Sequence, residues 1–196
     1  MKYSSVVSKF IMLYNDCYLR LQLYRHKVIC DEKIKVNGRI KIINNGEILI
    51  GKKFKANSGE NMNPIGGDTV LRLICKSGAT LIIGNKVGIS NSTIFCTTKI
   101  TIGDNVMIGG GCKIWDSDFH SLNSSIRGTD RDRLYAVKSE VVIESNVFIG
   151  ASSIILKGVK IGENSIIGAG SVVSRSIPNG EIWAGNPAKF IKRLND

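Results

Sequence analysis

Two side chains in this sequence are suited to moving a proton near neutral pH, the histidines His26 and His120. His26 stands between Arg25 and Lys27 in a stretch with helical spacing, where a solvated helix residue is expected. His120 lies in Ile114-Trp115-Asp116-Ser117-Asp118-Phe119-His120-Ser121, where a regular pattern stops and a polar loop begins. A loop leaving a rigid scaffold is a usual place for catalytic groups. A neighbouring carboxylate can orient an imidazole and stabilise its charged form. Asp116 and Asp118 are both near, and the spacing does not choose between them. The plainer alternative is a loop histidine bonded to Asp118 for structure alone.

Other reactive residues form no such group. Cys17, Cys30, Cys75, Cys96 and Cys112 contain no C-x-x-C pair. An odd, scattered set fits reduced thiols in the cytoplasm, not a disulfide framework. A catalytic zinc held by three histidines needs one more than the chain has, so no metal is expected.

The scaffold that would position His120 is a repeat. Ile143, Ile149, Ile155, Ile161, Ile167 and Val173 recur every six residues. The residue after each is often glycine. Four residues after each come Val147, Ser153, Val159, Ser165, Ser171 and Ile177. Neither a helix nor a flat strand has a period of six. A triangular coil does: each unit is a short strand plus a turn, and three units close one coil. The aliphatic points inward, and the smaller residue fits the tight corner. The pattern recurs at Ile48–Gly51, Leu81–Gly84, Ile100–Gly103, Val141–Glu144 and Val159–Gly162, at separations of 33, 19, 41 and 18. Eighteen is one coil. Nineteen is one coil with an extra residue near Thr97–Lys99. The longer separations predict extruded loops near 55–70 and 116–140.

Residues 1–33 differ. Val7, Phe10, Tyr14, Cys17, Leu21, Tyr24 and Val28 are spaced as the apolar stripe of an amphipathic helix. Lys9, Arg20, Arg25 and Lys27 lie mainly off it. The favoured role is a cap on the first coil or a contact between subunits; contact with an anionic membrane surface ranks second. Polar residues break the apolar stretch, so neither a signal peptide nor a spanning helix is expected. The formal charge of +11 favours an anionic partner. With no Lys/Arg-rich run and only 7% aromatic residues, nucleic acid is disfavoured.

The in-phase units over residues 34–194 resemble the hexapeptide-repeat acetyltransferases. The resemblance implies an all-β-dominated chain: a left-handed parallel β-helix over 34–196, with an N-terminal helical cap over 1–33 and a short C-terminal tail. It implies an acetyl-coenzyme A-dependent enzyme that assembles as a homotrimer with sites between subunits. His120 matches the loop histidine that deprotonates an acceptor hydroxyl in many sugar-modifying members, with Asp118 or Asp116 beside it. Phe148 stands where the family commonly has tryptophan, walling the acetyl pocket. Ala151 and Ala169 match small residues whose backbones hold the pantetheine arm. Ser174, Arg175, Lys189 and Lys192 match polar and basic positions near its phosphates, the lysines within Gly185-Asn186-Pro187-Ala188-Lys189-Phe190-Ile191-Lys192.

The implied reaction is O-acetylation of a carbohydrate, closest to the branch that decorates surface polysaccharide such as O-antigen or capsule. It would occur in the cytoplasm, including the inner face of the membrane. The alternatives are N-acetylation of a nucleotide-linked amino sugar, acetylation of an antibiotic, and a non-catalytic β-helix scaffold.

Overall fold

The structure, a computed structural model, describes residues 5–60, 62–65 and 69–194. Residues 1–4 of the expected helical cap, the side chain of Lys9, residues 61 and 66–68 of the first expected loop, and tail residues 195–196 lie outside it.

The chain winds as a left-handed parallel β-helix with three faces. The first face stacks Ile29–Cys30, Glu47–Ile50, Thr80–Ile83, Lys99–Ile102, Val141–Ile143 and Lys160–Ile161. The second stacks Lys35–Gly38, Lys55–Ser58, Gly88–Ser90, Met107–Ile108, Phe148–Ile149, Ile166–Ile167 and Glu181–Ala184, then Lys189–Arg193. The third stacks Ile40–Asn44, Leu71–Cys75, Thr93–Cys96, Lys113–Trp115, Ile154–Ile155 and Val172–Val173. Pairing between coils is parallel until the last hairpin, where Lys189–Arg193 returns antiparallel along Glu181–Ala184.

The period of six has a physical cause at each position. Ile143, Ile149, Ile155, Ile161, Ile167 and Val173 are buried and stack as inward columns. Val147, Ser153, Val159, Ser165, Ser171 and Ile177 are buried too. The glycine after the aliphatic faces the next coil. A Cβ on Gly150 would stand 2.5 Å from the Ala169 nitrogen, and one on Gly109 would stand 2.6 Å from the Ala151 nitrogen. The corner between the first and second faces requires a left-handed residue. Lys53, Lys86, Asn105, Asn146 and Asn164 fill it with φ of 56° to 63°.

The insertion expected near Thr97–Lys99 sits at the corner between the third and first faces, and it is two residues rather than one. Ile94 stacks with Ile114 and Ile155, and Ile102 with Ile143 and Ile161. The chain uses eight residues from Ile94 to Ile102, against six from Ile155 to Ile161. The first expected loop starts later than its predicted boundary. Lys55–Ser58 is a strand of the second face, and the chain leaves the coil after it.

The helix α1 (Ser5–Arg25) lies against the first coils, but not on the expected stripe. Leu19 is its buried residue, with Asn15, Tyr18, Gln22 and Leu23 partly covered. Val7, Phe10, Tyr14, Cys17, Leu21 and Tyr24 are exposed, with Tyr24 at 85%. Polar contacts set this rotation. The Arg39 guanidinium stacks on Tyr14 and Tyr18, 4.8 and 5.7 Å from the ring centroids, and donates to the Asn15 Oδ1. Lys33 pairs with Asp16 at 3.0 Å. Among the described residues, no helix is long and apolar enough to cross a membrane.

At the other end, Trp183 covers the last coil. Its indole N–H donates to Glu181 at 2.7 Å, and Phe190 packs edge-on against it. The tail segment Lys189–Arg193 is a strand.

Candidate active site

The second loop leaves the coil after Lys113–Trp115 through a closed neck. Ser117 bridges to Lys138 antiparallel. The Asp118 amide donates to the Val137 carbonyl, and the Ser139 amide to the Asp116 carbonyl. Phe119 takes a left-handed φ of 64° and packs its ring on Phe95 and Trp115. The next residue, His120, is thereby lifted away from the coil, with 61% of its side chain exposed.

The partner of His120 is neither expected aspartate. It is Asp132, at the start of a short 3-10 turn, Asp132–Tyr135. His120 Nδ1 lies 2.7 Å from Asp132 Oδ2. Asp132 is buried and also accepts from the amides of Ser121, at 2.6 Å, and Gly128, at 2.9 Å. The Gly128 amide, then His120, then the Ser121 amide hold its carboxyl down at about 2. Asp132 is therefore an anion at neutral pH and can only accept hydrogen bonds. The shared hydrogen must sit on His120 Nδ1, so Nε2 is the ring atom left to exchange a proton with a ligand. Arg127 holds the loop in shape by donating to the carbonyls of Ser121 and Leu122.

Asp116 has another task. It is fully buried and accepts from the amides of Thr97, Thr98 and Lys99 and from the Thr97 hydroxyl. Those amides are freed by the long corner between Ile94 and Ile102. Asp118 pairs with Lys157, from the next coil, at 3.2 Å. Neither carboxylate orients the imidazole: one satisfies backbone, the other ties the neck to the coil. Local spacing favoured them because they are close in sequence. Asp132 is twelve residues beyond His120, and nothing in the spacing separates it from Asp130.

A cavity of about 480 Å³ lies on the second face. Phe148 and Ala151 line one end, and Lys35, Asn37, Lys55 and Asn57 the other. Asn63, from the first loop, sits over Gly110 so closely that a Cβ there would stand 2.4 Å from its Nδ2. The amides of Gly110, Ala151 and Ala169, at one corner of successive coils, donate to no acceptor among the described residues. They can serve a linear ligand carrying carbonyls.

The remaining expected positions cluster elsewhere. Ala169 is exposed at the same corner, one coil beyond Ala151. Ser174 and Arg175 lie on the exposed turn after Val172–Val173, with the Arg175 guanidinium 5.2 Å above the Trp183 ring. Lys189 and Lys192 are exposed on the last strand, outside any ion pair among the described residues. The structure thus brings Phe148 to Ala151, and Arg175 to the tail hairpin. His120 is not on the cavity wall of its own chain.

Family models match two stretches: the bacterial transferase hexapeptide of six repeats at residues 140–175, and the hexapeptide repeat of succinyl-transferase at residues 99–114. The chain carries the hexapeptide repeat and is similar to the hexapeptide-repeat acetyltransferases. It is 40% identical over 106 residues to a galactoside O-acetyltransferase of Lactococcus lactis, covering 54% of this chain and 49% of that protein. The chain thus spans about half the length of the curated relatives of this kind. A hexapeptide-repeat acetyltransferase of Vibrio cholerae, solved with acetyl-coenzyme A, matches with a TM-score of 0.53 and 31% identity, over 61% of this chain and 62% of that one. A galactoside acetyltransferase solved with coenzyme A matches with a TM-score of 0.56 and 28% identity, over 73% of this chain and 65% of that one.

Proposed function

We propose that the protein transfers the acetyl group of acetyl-coenzyme A to a hydroxyl of a carbohydrate. The observation that carries this reading is the His120–Asp132 pair, which presents an imidazole anchored through Nδ1, with its Nε2 unbonded among the described residues, on a loop of a hexapeptide β-helix. Nε2 takes the proton of the sugar hydroxyl as its oxygen attacks the thioester carbonyl. The tetrahedral intermediate collapses, the carbon–sulfur bond breaks, and the sulfur leaves with the proton that His120 returns. Asp132 holds the ring and offsets its charge while the proton is there.

Phe148 and Ala151 flank the thioester end of the cavity in this reading. The free amides of Ala151 and Ala169 bind the pantetheine arm. Arg175, Lys189 and Lys192, with Ser174 beside them, meet the phosphates; charge-assisted contacts favour both kinds of base there. A homotrimer belongs to the same reading, because His120 stands off the cavity of its own chain and a second copy can bring its loop to that cavity. The acceptor is a surface polysaccharide or its precursor, modified in the cytoplasm at or near the membrane's inner face. Five unpaired cysteines support a reducing compartment.

The test is incubation with acetyl-coenzyme A and a panel of sugars, nucleotide-sugars and oligosaccharides, following thiol release and product mass. The reading expects an added acetyl group that mild base removes, as an ester. A base-stable acetyl found only on amino sugars would replace it with N-acetylation. Sedimentation should give three chains per particle.

A further inference from the structure

The cavity on the second face has a chemical gradient along its length. Strand register places Phe148, Met107, Gly88, Lys55 and Lys35 in one row on successive coils. All five line the cavity. Parallel strands lie about 4.8 Å apart, so Lys55 stands roughly 14 Å and Lys35 roughly 19 Å from the Phe148 strand. That length exceeds the space one sugar ring needs. A second row runs beside it: Asn37 donates to the Asn57 Oδ1 at 2.9 Å, and Ser90 is the register partner of Asn57.

The two lysines are register partners on neighbouring strands. Like charges placed this way repel. Neither lysine is in an ion pair among the described residues, whereas Lys33, Lys99, Lys157 and Lys160 each have a carboxylate. No carboxylate is among the described residues lining the cavity. Two register-paired lysines beside amide side chains, at the end of the groove away from Phe148 and with no carboxylate among the described lining residues, suit a ligand that brings its own negative charge.

We infer that Lys35 and Lys55 form an anion subsite, and that the acceptor is an acidic glycan carrying a carboxylate or phosphate beyond the sugar that is acetylated. This inference deepens the proposed function and rests on it for the identity of the ligand as acceptor. The charge sits several strand spacings from Phe148, so the subsite governs acceptor affinity and leaves the chemical step to His120.

Three probes separate the possibilities: a tetrasaccharide containing hexuronic acid, its carboxyl-reduced counterpart, and an oligosaccharide joined by phosphodiesters. Binding to the full chain is measured by calorimetry at low and physiological salt, and acetyl transfer by thiol release. At least one charged probe should bind tenfold or more tighter than the neutral one, with the preference shrinking as salt rises. Lys35→Ala and Lys55→Ala should each weaken that binding and raise the acceptor KM about tenfold, with kcat little changed. Lys55→Arg should retain most of the affinity. The stronger charged probe names the anion as carboxylate or phosphate. Equal binding of charged and neutral probes, or affinity unchanged in the Lys35→Ala/Lys55→Ala double variant, overturns the subsite. Acetylation of neutral glycans with no effect of that double variant overturns it while leaving the proposed function standing. Charge-dependent binding lost in the double variant, without acetyl transfer to any probe, upholds the subsite and overturns the proposed function.

Discussion

The Nδ1 atom of His120 lies 2.7 Å from Oδ2 of Asp132, twelve residues further along the same loop. The same carboxylate takes the amide hydrogens of Ser121 and Gly128, so one buried anion fixes both the loop and the tautomer of the ring. Asp132→Asn removes the obligate acceptor and allows the other tautomer. Acetyl transfer to a sugar should fall on the order of 10²- to 10⁴-fold in kcat, with the KM for acetyl-coenzyme A little changed. Asp118→Asn, measured in parallel by thiol release, should cost far less. Equal losses in the two variants would remove the special role of Asp132.

The low titration point of Asp132 makes a second prediction. Its carboxyl titrates at about 2 in the folded protein, against 3.8 ordinarily. The folded state therefore favours the charged form. The resulting stabilisation is complete above the ordinary value and is lost as pH falls through the folded one. Urea unfolding at pH 5, 3.5 and 2.5 should show the wild type losing more stability across this window than Asp132→Asn. Parallel losses would contradict the linkage.

Asp116 supports a corner, and its removal should unfold before it inactivates. Asp116→Ala strips the acceptor from the amides of Thr97, Thr98 and Lys99. Leaving several donors unsatisfied should cost about 3 kcal/mol or more. The denaturant midpoint should drop accordingly, while the fraction that remains folded keeps its acetyl-coenzyme A affinity.

The Asp118–Lys157 pair ties the loop neck to the next coil. Both side chains are about three-quarters covered, and the Asp118 Oδ2 is buried without a hydrogen-bond partner among the described residues. Lys157→Met should cost about 1–3 kcal/mol, because it leaves a largely covered carboxylate without its cation. Adding Asp118→Asn should recover part of that loss. Strictly additive effects in this double-mutant cycle would show that the pair is not coupled.

What was legible in the sequence follows from how local each feature is. The inward columns from Ile143 to Val173 could be read because every unit meets the same steric demands at the same spacing. The long corner at Thr97–Lys99 holds two extra residues but showed as one in the separation of nineteen, because the run from Ile89 to Ile94 is one residue short. Its cap did not show, because Asp116 reaches those amides from the next coil. The helix pattern was real, but its rotation was misjudged. The stripe from Phe10 to Tyr24 is apolar, yet Arg39 and Lys33, distant in sequence, hold another side of α1 to the coil through Tyr18, Asn15 and Asp16, with Tyr14 at the edge of the stripe. His120 was legible because a histidine opens an extruded loop. Asp132 and the Lys35–Lys55 row were not, since one depends on how the loop folds back and the other on strand register.

The most direct test compares wild type with His120→Ala in acetyl transfer to a sugar hydroxyl, alongside acetyl-coenzyme A binding by calorimetry. His120 is largely exposed, so the substitution should leave the fold intact. The account predicts transfer reduced on the order of 10²- to 10⁴-fold with the dissociation constant for acetyl-coenzyme A unchanged. Transfer near the wild-type rate would contradict it.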